Sequence, residues 1–107
     1  MTERYRLHPR AMIGKPDIVF AKKQLAVFVD SDFWHGRALV EGDVDTFEAI
    51  VRGNERWIAK LKRNVERDRE VTDALESACW RVLRIWESQV LADVRAAANR
   101  VEAALGR

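Results

Sequence analysis

Two short β-rich runs, Asp17-Ile18-Val19-Phe20 and Leu25-Ala26-Val27-Phe28-Val29, stand either side of a polar break at Ala21 to Gln24. Successive side chains of a strand point to opposite sides of its sheet. A hairpin that is apolar on both sides cannot rest with one face in water, so it has to lie at the centre of a sheet whose faces are covered by helices. That requirement points to a layered α/β fold.

The rest of the chain supplies the layers. Tyr5 to His8 reads as an edge strand that Pro9 ends, and Gly14-Lys15-Pro16 reads as a turn. From Glu55 to Ala78, apolar residues recur three or four apart at Trp57, Ile58, Leu61, Val65, Val71, Leu75 and Ala78, one face of a long amphipathic helix. Alternation from Trp80 to Trp86 predicts a strand over Arg81 to Ile85, with Val82 and Arg84 on one face and Leu83 and Ile85 on the other. A single helix is expected over Ser88 to Leu105, ended by Gly106, and a flexible loop over Leu39 to Asp45. This order fits a mixed sheet with flanking helices, and 107 residues make one domain, residues 1–107.

Composition narrows the setting. With 48% apolar and 34% charged residues of both signs, the chain is of the soluble globular kind and not the disordered kind. A single cysteine, Cys79, rules out an intramolecular disulfide and a cysteine-rich zinc site, and makes a reducing compartment the default. No apolar run has the length of a membrane span and the polar start has no secretory core, so a cytoplasmic protein without membrane contact is expected. The net charge is only +2, but Arg52 to Arg69 is locally basic, which leans toward an anionic partner.

Pairing the hairpin about Lys22-Lys23 sets Asp17 opposite Phe28 and Lys15 opposite Asp30. Asp17, Asp30 and Asp32 then share a face, with Asp17 diagonal to Asp30 at roughly 7–8 Å between backbones. Close carboxylates resist ionisation unless a cation lies between them. A hard divalent ion, Mg²⁺ with Mn²⁺ as substitute, suits oxygen ligands and keeps room for water and phosphate. His35 follows within reach, suited to proton transfer, and between the acids and the histidine stand Phe33 and Trp34, which can wedge into or stack on bases. On the long helix Trp57, Lys60, Asn64 and Arg67 fall on one stripe, an amide for base edges among cations for phosphates.

Taken singly, each feature has a plainer reading. Asp-x-Asp is common as a solvated or capping pair, adjacent aromatics are common in cores, and a charged stripe is commonly a solvated helix face. Their adjacency, with Asp17 brought in by the hairpin, favours a nuclease.

At GKPDIVF, FVDSDFWHG, KLKRNVERD and CWRVLRIWES the chain resembles the very-short-patch-repair (Vsr) endonucleases, in order and at matching spacing, from about Tyr5 to Ser88. GxPD alone is weak, whereas F-x-x-x-x-FWH joined to K-x-x-x-N-x-x-R-D and W-R-V-L-x-x-W-E is specific. The resemblance implies a restriction-endonuclease-like, PD-(D/E)xK fold. It implies a metal-binding aspartate at Asp17, a main-chain ligand at Val29, a catalytic histidine at His35, an aromatic wedge at Phe33 and Trp34, and mismatch-reading residues at Lys60 and Asn64. The implied substrate is double-stranded DNA, and the implied product is a nick 5′ to the mismatched thymine of a T:G pair.

The chain departs from the family pattern in places. The family's structural zinc site has Asp32, Arg37 and Ser88 at its matching positions, so no zinc is expected, and Asp30 replaces a family histidine, which makes the site richer in carboxylates. The helix that precedes the family's first strand, with its site glutamate and part of the DNA clamp, is expected to be missing or to come from a partner chain. An uncovered sheet face would favour a homodimer. Alternatives within reach of the same residues are a restriction or homing-type nuclease and a catalytically inactive DNA-binding subunit.

Overall fold

The computed structural model describes residues 4–106. The hairpin pairs Ile18 with Val27, Val19 with Ala26 and Phe20 with Leu25, the register expected from a turn centred on Lys22-Lys23. These are β2 (Ile18–Phe20) and β3 (Leu25–Asp30). With β1 (Arg6–Leu7) and β4 (Arg81–Trp86) they form a four-stranded sheet in the order β1-β2-β3-β4. The first two pairings are antiparallel and β3–β4 is parallel, so the sheet is mixed.

β3 is the centre of the molecule because both its faces are apolar. Leu25 and Val27, with Ile85 of β4, pack on Ala97, Val101 and Leu105 of a C-terminal helix, while Ala26 and Phe28 pack on Leu75 and Val71 of a long helix on the other face. Leu25 and Val27 are each 1% exposed, and burying a side chain of that size contributes about 1.5–3 kcal/mol. Val82 joins the long-helix side and Leu83 the other, as the alternation of the strand predicts.

The helices are α1 (Arg37–Val40), α2 (Val44–Val51), α3 (Glu55–Ser77), α4 (Glu87–Ala92) and α5 (Val94–Leu105). α3 begins where expected because the Asn54 side chain accepts the N–H groups of Arg56 and Trp57 at 3.0 and 3.2 Å. Two expectations are corrected. Leu39 to Asp45 is not one flexible loop: it spans the end of α1 and the start of α2, and Asp43 caps α2 by accepting from the Thr46 N–H and hydroxyl. Ser88 to Leu105 is not one helix, because Asp93 adopts an extended conformation and caps α5 through the Ala96 N–H at 3.0 Å. Apolar periodicity runs across this break and hides it.

A third correction concerns the turn. Lys15 does not lie opposite Asp30: its N–H donates to the Met12 carbonyl at 3.1 Å and its φ is 51°, so the chain has already left the sheet. Gly14 explains why it turns there. Its φ is 75°, and a β-carbon at that position would meet Val71 of α3 at 2.3 Å, so the loop is pressed against the helix where only glycine fits.

An apolar groove of about 390 Å³ opens between the β1–β2 edge of the sheet and α5, lined among others by Tyr5, Leu7, Ile18, Val94 and Ala98. Among the described residues, no helix is long and apolar enough to cross a membrane.

Candidate active site

The site gathers at the end of β3, where β2 begins, where the loop to α1 departs and where the middle of α3 crosses. Asp17 immediately precedes β2. Its main-chain N–H donates to the Val27 carbonyl at 2.9 Å, and its side-chain Oδ2 accepts the N–H of Val29 at 2.7 Å. The carboxylate thus fills the β2 side of β3 where the neighbouring strand has ended. In a strand, the N–H and C=O of one residue point to the same edge. The Val29 carbonyl is therefore directed to the edge that carries Asp17. The other Asp17 oxygen lies 3.7 Å from His8 Nδ1.

Asp30 ends β3 on the α3 side and is 5% exposed. Both of its oxygens accept from Arg84 Nη1 of β4, at 3.1 and 3.0 Å. Burial pushes its carboxyl above the usual carboxylate range, with Arg84 and then His35 opposing the shift.

His35 is placed by the turn that follows. Its N–H donates to the Ser31 carbonyl at 3.0 Å, and the next residue, Gly36, has a φ of 61°. A β-carbon on Gly36 would meet Val65 of α3 at 2.8 Å, so the loop can approach the helix this closely only through glycine. The approach brings His35 Nδ1 into hydrogen bond with Asp68 Oδ2 of α3, and to 3.8 Å from Asp30 Oδ1. The Asp68 bond raises the imidazole pKa, burial opposes it, and the charge of Asp30 adds to the rise. With a proton on Nδ1 shared with Asp68, Nε2 is the atom left to accept one.

The expected cluster of Asp17, Asp30 and Asp32 is not what the fold assembles. Among the described residues, the acids and histidine whose ligand atoms all lie within 4.8 Å of one another are Asp30, His35 and Asp68. Asp32 turns elsewhere: it accepts from Arg37 Nη1 at 2.8 Å, from the Ser88 N–H at 3.0 Å and from the Ser88 hydroxyl at 2.6 Å. Burial alone would raise its pKa, but the Ser88 hydroxyl and Arg37 outweigh that and hold the carboxyl down to about 2. Asp32, Arg37 and Ser88 thus tie the end of β3 to α1 and α4.

Phe33 and Trp34 are 37% and 43% exposed and meet edge to face, with ring centroids 5.0 Å apart. Trp57 of α3 closes a triangle with them, 5.5 Å from Phe33 and 5.6 Å from Trp34. Lys60 Nζ stands 4.8 Å from the centre of the Trp34 ring. Asn64 donates from its side-chain amide to the Trp34 carbonyl at 2.8 Å, which fixes the loop that carries the aromatics. Arg67 is exposed on the same helix.

Sequence reasoning did not single out Asp68 or Arg84, and it placed Trp57 only on the helix stripe. A signal was present for each. Lys60, Asn64 and Asp68 succeed one another at four-residue steps on one face of a helix, and Arg84 is a charge on a strand face that is otherwise apolar, which demands a counter-charge.

The family model for the DNA mismatch endonuclease Vsr matches residues 1–41. A type II nicking enzyme of Neisseria meningitidis serogroup C, V.NmeDIP, is 43% identical over 103 residues, 95% of this chain and 66% of the relative. The type II nicking enzyme V.NaeI of Lentzea aerocolonigenes is 46% identical over 83 residues, 78% of this chain and 46% of the relative. The DNA mismatch endonuclease Vsr of Escherichia coli K12 is 31% identical over 83 residues, 78% of this chain and 50% of the relative. The chain spans roughly half to two thirds of the length of these relatives. On matching sequence that reaches from the hairpin through α3 to β4, the chain belongs to the Vsr family of DNA endonucleases.

Proposed function

We propose that the chain is a magnesium-dependent DNA endonuclease of the restriction-endonuclease-like, PD-(D/E)xK kind, which nicks one strand of a duplex at a T:G mismatch in very short patch repair. The observation that carries this reading is the placement of a carboxylate edge, a hydrogen-bonded histidine and an exposed aromatic cluster around the end of one strand. The names of the relatives, nicking enzymes and a mismatch endonuclease, point the same way.

The donor set at Asp17 fits a hard divalent ion. Its carboxylate is partly exposed and lies beside the edge toward which the Val29 carbonyl points, two oxygen donors of the kind that Mg²⁺ or Mn²⁺ accepts with waters filling the rest. When bound there, the ion would supply charge stabilisation at a scissile phosphate and a more acidic water. His35 is assigned proton transfer at Nε2, with Asp68 as the residue that orients its ring. Asp30 and Asp32 are assigned supporting roles, through Arg84 and through Arg37 and Ser88, and Arg37 inside the latter group makes a zinc ion an unsuitable guest.

Phe33, Trp34 and Trp57 are assigned the wedge beside the mismatch, with Lys60, Asn64 and Arg67 along the same side of α3 facing the DNA. A cytoplasmic location follows from the substrate. A second copy, or a partner chain, is the proposed cover of the apolar groove beside β1, where Tyr5 and Leu7 are exposed.

The test is a Mg²⁺-dependent nicking assay on matched, T:G-mismatched and otherwise mismatched duplexes. Preference for T:G, abolished by Asp17→Ala in a folded protein, is the expected result. Equal rates on all duplexes would remove the mismatch-repair part, and an Asp17→Ala protein that nicks like wild type would remove the site.

A further inference from the structure

Arg84 stands opposite Phe28 in the parallel pairing of β3 and β4, and its guanidinium is engaged on every side. Nη1 donates to both Asp30 oxygens at 3.1 and 3.0 Å, Nε to the Thr72 hydroxyl at 2.9 Å, and Nη2 to the Asp68 carbonyl at 3.2 Å. The group also lies 4.1 Å from the centre of the Phe28 ring. The side chains of Arg84 and Asp30 are 23% and 7% exposed, so the pair is largely out of water.

Asp30, His35 and Asp68 have the donors of a cation site within 4.8 Å of one another. Each donor is already engaged: Asp30 by Arg84, and His35 Nδ1 by Asp68. We propose that Arg84 is the resident cation of this cluster, a positioning residue that neutralises Asp30, ties β4 to α3 at Asp68, and keeps the cluster from taking a divalent ion. The chain then binds one ion, at Asp17 and Val29; this count rests on the nuclease reading above, whereas the exclusion at Asp30 does not.

The physical reason is that a doubly charged ion entering the cluster would meet a fixed guanidinium at close range. It would also have to strip Asp30 from Arg84 and leave that arginine buried without a partner. The exclusion needs only a positive charge at this position, whereas tying β4 to α3 needs arginine, whose planar fork reaches Asp30, Thr72 and the α3 main chain at once, which a lysine ammonium cannot do.

The experiment is a titration of Mn²⁺ into the purified chain without DNA, with free ion counted by electron paramagnetic resonance and folding checked by circular dichroism. Wild type is expected to bind one ion, Asp17→Asn none, and Asp30→Asn one. Arg84→Met should gain a second ion, lost again when Asp68→Asn is added, and Arg84→Lys should stay at one. Two ions on wild type, one of them removed by Asp30→Asn, would overturn the proposal, as would a folded Arg84→Met that still binds one. If Arg84→Met does not fold, the wild-type and Asp30→Asn counts decide the matter. No ion on wild type but one on Arg84→Met would defeat the Asp17 site and leave the role of Arg84 standing; none on either would defeat both.

Discussion

Asp68 and His35 meet through a hydrogen bond between Oδ2 and Nδ1, the carboxylate carried by the middle of α3 and the imidazole by the loop that leaves β3. The two residues are 33 apart in the chain, and only the close approach permitted at Gly36 lets them touch. The bond holds the ring in one orientation and raises its pKa.

Removing that carboxylate should therefore move a titration. In an unfolded chain the imidazole titrates at about 6.5; folded, it keeps its proton to higher pH. Its protonated form stabilises the fold fully below the unfolded value, and that contribution is lost as pH rises through the folded value. Asp68→Asn is expected to lower the His35 pKa, read from the ring Cε1 proton by NMR. It should also shift the rising limb of the nicking rate to lower pH, with a loss at the optimum within the range of about 10²–10⁴-fold that general acid–base groups supply. An unmoved imidazole titration would remove Asp68 as its partner.

Asp32 makes the opposite kind of pH signature. Its folded carboxyl is lowered to about 2 by Ser88 and Arg37 against its burial. The stabilisation is thus complete above the ordinary carboxylate range and disappears as pH falls toward 2. Wild type should lose thermal stability between about pH 4 and its folded value more steeply than Asp32→Asn, which has no such group to titrate. Parallel acid profiles for the two proteins would show that the Asp32, Arg37 and Ser88 cluster contributes nothing to holding α1 and α4 on the sheet.

How much of this was legible in the sequence follows from the range of each interaction. The Phe20–Leu25 closure and the whole hairpin register follow from a local turn, and α3 from a period repeated over many residues with Asn54 at its start, so both were readable. The break at Asp93 depends on a single cap that apolar periodicity runs across, and α2 depends on the cap at Asp43 inside a stretch that reads as a loop. The site was readable only in part: Asp30 and His35 were singled out, but Asp68, which closes their cluster, was not, and Asp32 turns to Arg37 and Ser88 instead. Strand parity puts Asp17 and Asp30 on one face, but the pairing ends at the Gly14 to Pro16 turn. The counter-charges come from Arg84 and Arg37, and parity alone cannot choose between those arginines and a metal ion as the partner of an acid.

Gly36→Ala tests the loop that presents His35. The new β-carbon would lie 2.8 Å from Val65, at a φ of 61° where an alanine is strained. A loss of about 1–3 kcal/mol in stability is expected, as for other residues held in strained backbone conformations. Nicking should fall by more than stability explains, because the loop must lift off α3 and take His35 from Asp68. Chemical denaturation and single-turnover nicking separate the two effects, and wild-type rates in a destabilised protein would show that loop and chemistry are uncoupled.

Trp57 provides the sharpest test of the aromatic cluster, because it belongs to α3 and not to the loop. If Phe33, Trp34 and Trp57 act together on DNA bases, Trp57→Ala should weaken duplex binding by about 1–3 kcal/mol, the range for loss of one base–aromatic stack, and Phe33→Ala with Trp34→Ala should do so by more. A stacking loss differs from a phosphate loss in its response to salt. Lys60→Ala, which removes a cation near Trp34, should reduce the slope of affinity against salt concentration, whereas Trp57→Ala should lower affinity at every salt concentration and leave the slope alone. Fluorescence anisotropy with a labelled duplex across a salt series measures both quantities. A Trp57→Ala protein of unchanged affinity would mean that this ring only braces the other two.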